Sequence, residues 1–167
     1  MSGWSFVALG VPAPQGSHRG FVNPKTGGVI ITNNNKNTKP WRQTVVAAAP
    51  PGPKLDGPIA LYCVFTLPRP KSARKIDVTP CKKPDLDKLL RNALDSLTDA
   101  GLVADDARIV EVARCAKVWT GYDFCALETP GVLLAAVEIS SGGYRAELRD
   151  LRDKALTEHR AAWNQTG

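Results

Sequence analysis

The chain alternates short apolar runs with polar, proline- or glycine-marked breaks. Trp4 to Leu9 alternates large and small residues and predicts a strand ended by Gly10-Val11-Pro12-Ala13-Pro14. Residues 15 to 28 predict a polar, glycine-containing loop. Gly28 to Thr32 predicts a short β-branched strand, broken by Asn33-Asn34-Asn35-Lys36-Asn37. Pro40 to Ala49 suits a short helix with proline in its first turn, and Pro50-Pro51-Gly52-Pro53 stops it. Ile59 to Leu67 predicts a second β run, followed by a basic, proline-punctuated loop from Pro68 to Pro84. Leu86, Leu89, Leu90, Ala93, Leu94 and Leu97 then recur at helical spacing, and Gly101 closes that helix. Ile109 to Trp119 and Val132 to Ile139 predict two more strands. After Ser140-Ser141-Gly142-Gly143, a hinge by composition, Tyr144 to Trp163 predicts a last helix with Leu148, Leu151, Ala155 and Leu156 along one side. The pattern gives an α+β fold: a mixed sheet with packed helices over residues 1–140 and a helical extension over 141–167.

Length and composition suit one globular domain with a tail. No apolar run is long enough to span a bilayer, and the first residues carry no signal-type block, so a soluble cytoplasmic protein with no membrane partner is expected. Cys63, Cys81, Cys115 and Cys125 form no C-x-x-C pair, and all four are expected reduced and structural.

Charge changes the picture more than composition does. The formal net charge is +6. Residues 1 to 55 contain no Asp or Glu but carry Arg19, Lys25, Lys36, Lys39, Arg42 and Lys54. Residues 56 to 84 add Arg69, Lys71, Arg74, Lys75, Lys82 and Lys83 against Asp56 and Asp77, and six aspartates then crowd into residues 85 to 106. A basic field around a compact acidic site is the charge layout a metal-dependent nuclease requires, because lysine and arginine attract the phosphate backbone. A basic protein without any nucleic-acid partner shares the same totals.

The chemistry concentrates in Lys83-Pro84-Asp85-Leu86-Asp87-Lys88-Leu89-Leu90-Arg91, followed by Asp105-Asp106. Asp85 precedes the first apolar helical position and Asp87 lies in the first turn, so capping and the helix dipole alone account for both. Three facts favour a site instead. Asp87 and Arg91 stand four apart and share one side of the helix, at the edge of its apolar stripe. Gly101-Leu102-Val103 returns the chain to Asp105-Asp106, a return short enough to bring that pair near the helix. Lysines precede the motif and supply charge for a substrate. Phosphodiester hydrolysis needs an activated water and charge neutralisation, which Mg²⁺ provides, and that hard ion prefers carboxylate oxygens. His18 and His159 lie away from the acidic cluster, so histidine-based hydrolysis has little support.

These residues, with Ala107-Arg108-Ile109-Val110 after them, resemble the RusA family of Holliday junction resolvases. Trp4 to Pro14 resembles that family's first strand and its G-x-P-x-P turn. Trp41 resembles the tryptophan that opens its first helix, Pro68-Arg69-Pro70-Lys71 its basic loop, and Gly131 to Glu138 its last strand. The resemblance covers residues 3 to 139. It implies a homodimeric, Mg²⁺-dependent endodeoxyribonuclease, Mn²⁺ also serving, that cuts four-way DNA junctions with paired nicks in a bacterial or phage-infected cell. It implies Asp85, Asp87 and Asp106 as metal-binding catalytic carboxylates, with Asp105 beside them. Arg91 stands where the family has a catalytic lysine, and can stabilise charge but not readily transfer a proton. Arg19, Arg69, Lys71, Arg74, Lys75, Lys82, Lys83 and Lys88 are the candidate DNA-contacting residues.

Three competing readings remain. One is a junction-binding protein without catalysis, which Arg91 keeps open. Another is a nuclease for flaps and other branched intermediates. In the third, the acids only cap and solubilise a helix. Trp119, Tyr122 and Phe124 are read as core residues in preference to a stacking surface.

Overall fold

The computed structural model describes residues 2–16, 18–33, 35–140 and 142–166, without the side chains of residues 18, 19, 21 and 30–33. Its centre is β4 (Ile59–Leu67), in which all nine residues are buried. Burial on both faces explains why this run is continuously apolar where an edge strand alternates. β4 pairs in parallel with β5 (Ile109–Trp119) and antiparallel with β6 (Gly131–Glu138), which in turn pairs antiparallel with β1 (Gly3–Leu9). The order β1-β6-β4-β5 makes a mixed four-stranded sheet, the α+β architecture expected. Both predicted strands around β4 have the expected boundaries to within a residue.

The two faces of β4 feed two cores, as period-two geometry requires. Leu61, Cys63 and Phe65 join Trp4, Phe6, Trp41, Val45, Leu89, Ala93 and Leu97 under two helices, α1 (Thr38–Ala48) and α2 (Leu86–Asp99). Ala60, Tyr62 and Val64 join Leu133, Val137, Leu148, Ala155 and Leu156 under α3 (Tyr144–Thr166). The C-terminal helix therefore lies on the sheet and closes its second face, through contacts with β1, β4 and β6. No helix among the described residues is long and apolar enough to cross a membrane.

The loop expected over 15–28 departs from expectation. It contains β2 (His18–Val22), which pairs antiparallel with β3 (Val29–Asn33) in a separate hairpin. The ladder forms through backbone groups, so a polar strand gives no apolar pattern to find. Gly27, at φ +68°, provides the left-handed turn between the two strands.

Because β4 and β5 run parallel, α2 must cross between them from one end of the sheet to the other. Its start therefore lies beside the C-terminal ends of β4 and β5, and its end beside their N-terminal ends. Gly101, at φ +72°, turns the chain out of α2, and a 3-10 turn at Asp106–Arg108 leads into β5.

Candidate active site

Asp85 is the N-cap residue of α2, with extended backbone, yet its side chain accepts no capping hydrogen bond. It pairs instead with Lys88, Oδ2 to Nζ at 2.9 Å. That hydrogen bond and the lysine charge hold the Asp85 carboxyl below the ordinary carboxylate range, with Lys83 and Lys117 adding smaller pulls, and the same contact raises Lys88. Asp85 is therefore held as an anion. Asp87, in the first turn, is exposed and makes no hydrogen bond or ion pair with any described residue, and Arg91 on the same side is equally unengaged. Capping does not account for either aspartate.

Three connections fix this end of α2. Lys117, late in β5, donates from Nζ to the carbonyl oxygens of Lys82 and Pro84 at 2.6 and 2.8 Å. Gln15 donates its backbone N–H to the carbonyl of Lys88 at 2.9 Å. Asn92, fully buried, donates from Nδ2 to the carbonyl of Ala13 at 2.8 Å and, more weakly, to Thr38 at 3.4 Å, while its Oδ1 accepts from Arg42 at 3.3 Å. Pro14, Gln15, Gly16, Lys83, Pro84, Asp85 and Lys88 thus line one open cleft. Sequence reasoning did not assign Lys117, Gln15 or Asn92. Two of them carried a signal: Lys117 is a basic residue late in a predicted strand, and Asn92 is a polar residue between Leu89 and Ala93 on the apolar stripe.

Asp105 and Asp106 are returned to α2, but to its other end. Arg108 bridges to Asp56 at 3.1 Å, which places the 3-10 turn beside the entry to β4. The cleft that Asp105 and Asp106 line includes Asp95, Thr98 and Asp99 from the last turns of α2, together with Gln15 and the α1 residues Thr38, Lys39, Arg42 and Gln43. Fourteen helical residues at 1.5 Å each put about 20 Å between this end and Asp85. Asp95 and Asp99 are held by Arg42, at 3.3 Å for Asp99. Asp105 accepts the Ala107 N–H at 2.8 Å, while the Asp106 side chain has no partner among the described residues. Accordingly, no group of three or more His, Cys, Asp or Glu side chains converges as a metal site among the described residues. Within one chain, Asp85 and Asp87 therefore stand apart from Asp105 and Asp106.

The basic candidates fall into three sets. Lys83 and Lys88 line the Asp85 cleft, and Lys71, Lys75 and Lys82 are exposed on the 68–84 loop. Arg74 is tied to Asp77 at 2.9 Å, and Arg69 donates to the Arg74 carbonyl at 2.7 Å while lying over the Tyr122 ring. The Arg19 side chain lies outside the described residues. Tyr122 and Phe124 are exposed and do not pack in the core as expected, because the turn at Gly121 (φ +75°) carries them off the end of β5.

Paired carboxylates at a helix N-terminus beside a lysine-rich loop are charged to hold a cation next to an anionic polymer. The family model described as Endodeoxyribonuclease RusA matches residues 12–123, two-thirds of the chain, and the chain belongs to that family. It is the family of Holliday junction endodeoxyribonucleases, hydrolases of the DNA backbone that in general depend on a divalent metal. No curated protein matches the chain.

Proposed function

We propose that this chain is a Mg²⁺-dependent, structure-specific endonuclease that resolves four-way DNA junctions by paired symmetric nicks. It serves recombination, repair or phage DNA processing, and acts as a homodimer. The observation that carries the reading is the division of the acidic residues between the two ends of α2. Asp85 and Asp87 stand unclaimed by capping at one end, with Lys83 and Lys88 beside Asp85 and Arg91 one turn beyond Asp87, and Asp106 at the other end has no side-chain partner among the described residues.

A two-fold partner resolves that division. Two copies of α2 laid antiparallel bring the start of one helix beside the end of the other, so that the partner subunit's Asp106 completes the set begun by Asp85 and Asp87. Asp105 stands next to it. Surface chemistry supports such a contact. Leu86, Leu90 and Leu94 form a half-buried shoulder of α2, on the side away from α1. Beside it β5 is a free sheet edge eleven residues long, with Val110 and Val112 exposed. Apolar side chains at an unpaired edge are what an isologous interface covers. The symmetry also suits the substrate, because a four-way junction is pseudo-two-fold and its resolution needs two nicks. When bound, the metal supplies charge neutralisation at the phosphoryl group and an activated water. Arg91 adds fixed positive charge for the phosphate, Lys83 and Lys88 hold the backbone beside it, and Lys71, Arg74, Lys75 and Lys82 bind a junction arm farther along the basic loop.

The test is nicking of a labelled four-way junction with Mg²⁺ or Mn²⁺ by the wild type, by Asp87→Asn, by Asp106→Asn, and by a purified mixed dimer of the two variants carrying different tags. Paired nicks that vanish in each homodimer with DNA binding retained support the resolvase. Nicking regained in the mixed dimer supports the shared site, because one of its two sites then has every carboxylate. Metal-independent binding without nicking would establish a junction-binding protein, the reading that Arg91 keeps open. Unpaired cuts on many branched substrates would establish a general branched-DNA nuclease.

A further inference from the structure

The β5–β6 loop ends in two exposed rings, Tyr122 at 46% and Phe124 at 62%. Each is held by arginine. The Arg69 guanidinium lies 4.9 Å from the Tyr122 ring centre, and those of Arg114 and Arg152 lie 5.1 and 5.3 Å from the Phe124 ring centre. Arg114 is itself fixed by Asp123 at 2.6 Å and by the Tyr62 hydroxyl at 3.1 Å, and Arg160 of α3 donates to the Phe124 carbonyl at 2.9 Å. The loop is thus braced from behind, with its rings outward. At its root, the buried donors Arg69 Nε and Trp119 Nε1 have no acceptor among the described residues.

The position matters as much as the chemistry. Lys117 binds the residues just before Asp85, and Trp119 follows two residues later, about 7 Å along the strand. The rings therefore leave the same end of the sheet as Asp85 and Asp87. Exposed aromatic rings interleaved with guanidinium groups are the surface on which unpaired bases stack, since every base has a π face and arginine adds a cation–π contact. The arginines here are largely matched: Arg114 by Asp123, Arg152 by Asp153 at 2.7 Å, and Arg160 by Glu128 at 3.3 Å. Arg69 alone has no carboxylate partner among the described residues, so little net charge remains and the loop suits bases better than the phosphate backbone.

We propose that Tyr122 and Phe124 form a stacking site for unpaired DNA bases at the branch point, next to the carboxylate end of α2. The proposal rests on the reading of branched DNA as substrate. The site captures bases that leave the duplex stack where strands exchange, and so selects open junctions over intact duplex. Its contribution differs in kind from that of the lysines, because stacking releases no counterions and leaves the salt dependence of binding untouched.

The test uses the full chain without metal, so that binding is read apart from cleavage. The probe is a four-way junction with 2-aminopurine at the branch point, and an intact duplex is the control. Expected for Tyr122→Ala and Phe124→Ala is about five- to a hundredfold weaker junction binding for each ring. Loss of the 2-aminopurine response is expected with it, while duplex affinity, the slope of affinity against salt, thermal stability and oligomeric state stay unchanged. Tyr122→Phe should restore binding. Unaltered junction affinity, a salt slope that falls with the substitution, or dissociation into monomers would overturn the proposal, the last by assigning the rings to a subunit contact. A wild type that shows the stacking response but never nicks would remove the nuclease reading and leave this site standing.

Discussion

Replacing Asn92 by alanine should lower the stability of this protein by about 3 kcal/mol. Asn92 is fully buried in α2 and joins three parts of the chain: the Ala13 carbonyl before the cleft loop, the Thr38 carbonyl at the start of α1, and Arg42. The 2.8 Å bond to Ala13 is a well-formed amide–carbonyl contact, worth roughly 1 kcal/mol net. The 3.3 Å bond from the charged Arg42 is worth about 1.5 kcal/mol at most, and the 3.4 Å contact to Thr38 adds little. Leaving the Ala13 carbonyl without its donor in the interior costs about 1 kcal/mol more. Together these shift the folding equilibrium on the order of a hundredfold. Urea denaturation followed by tryptophan fluorescence measures the change as a lower midpoint with an unchanged slope. Because Gln15 and Gly16 follow the tethered Ala13, amide exchange at residues 13–16 should speed up more than at β4. A loss below about 1 kcal/mol would refute the reasoning, since it would mean that Asn92 is replaceable by water or by empty space.

Other outcomes follow from the same geometry. Arg91→Ala should reduce junction nicking by roughly ten- to a hundredfold in single-turnover assays with little change in stability, because Arg91 has no hydrogen bond or ion pair among the described residues to lose, and Arg91→Lys should keep much of the rate if charge alone matters. Lys88→Ala should raise the Asp85 pKa toward the ordinary carboxylate range in an NMR titration; since folding lowers that pKa, the pair's stabilisation is present above the unfolded value and is lost as pH falls through the folded one. Lys83→Ala should weaken binding to all junction sequences alike and lower the salt slope by about 1. Gly131→Ala should destabilise the sheet by about 1–3 kcal/mol in thermal melts, because a methyl there would stand 2.5 Å from the Ala8 carbonyl oxygen on the neighbouring strand.

Most of the elements are written in local sequence pattern. β4, β5 and α2 follow from apolar runs and helical spacing, which are local properties that the folded chain preserves. The charge segregation and the D-x-D motif before a helix were legible for the same reason, and they marked Asp85 and Asp87 as more than surface residues. β3 was legible as the β-branched run at Gly28 to Thr32, but β2, and with it the hairpin, was not, because a backbone ladder on a polar segment leaves no periodic apolar trace. Only the tertiary structure decided where each candidate stands. Asp105-Asp106 lies eighteen to twenty-one residues after Asp85 and Asp87, a spacing that reveals nothing about which end of α2 it meets. The parallel pairing of β4 with β5 settles that, by sending α2 the length of the sheet. Likewise the pattern of β5 does not say that Lys117 reaches the carbonyls of Lys82 and Pro84, or that Tyr122 and Phe124 face outward. Those placements depend on contacts between distant segments, and period and composition carry no record of them.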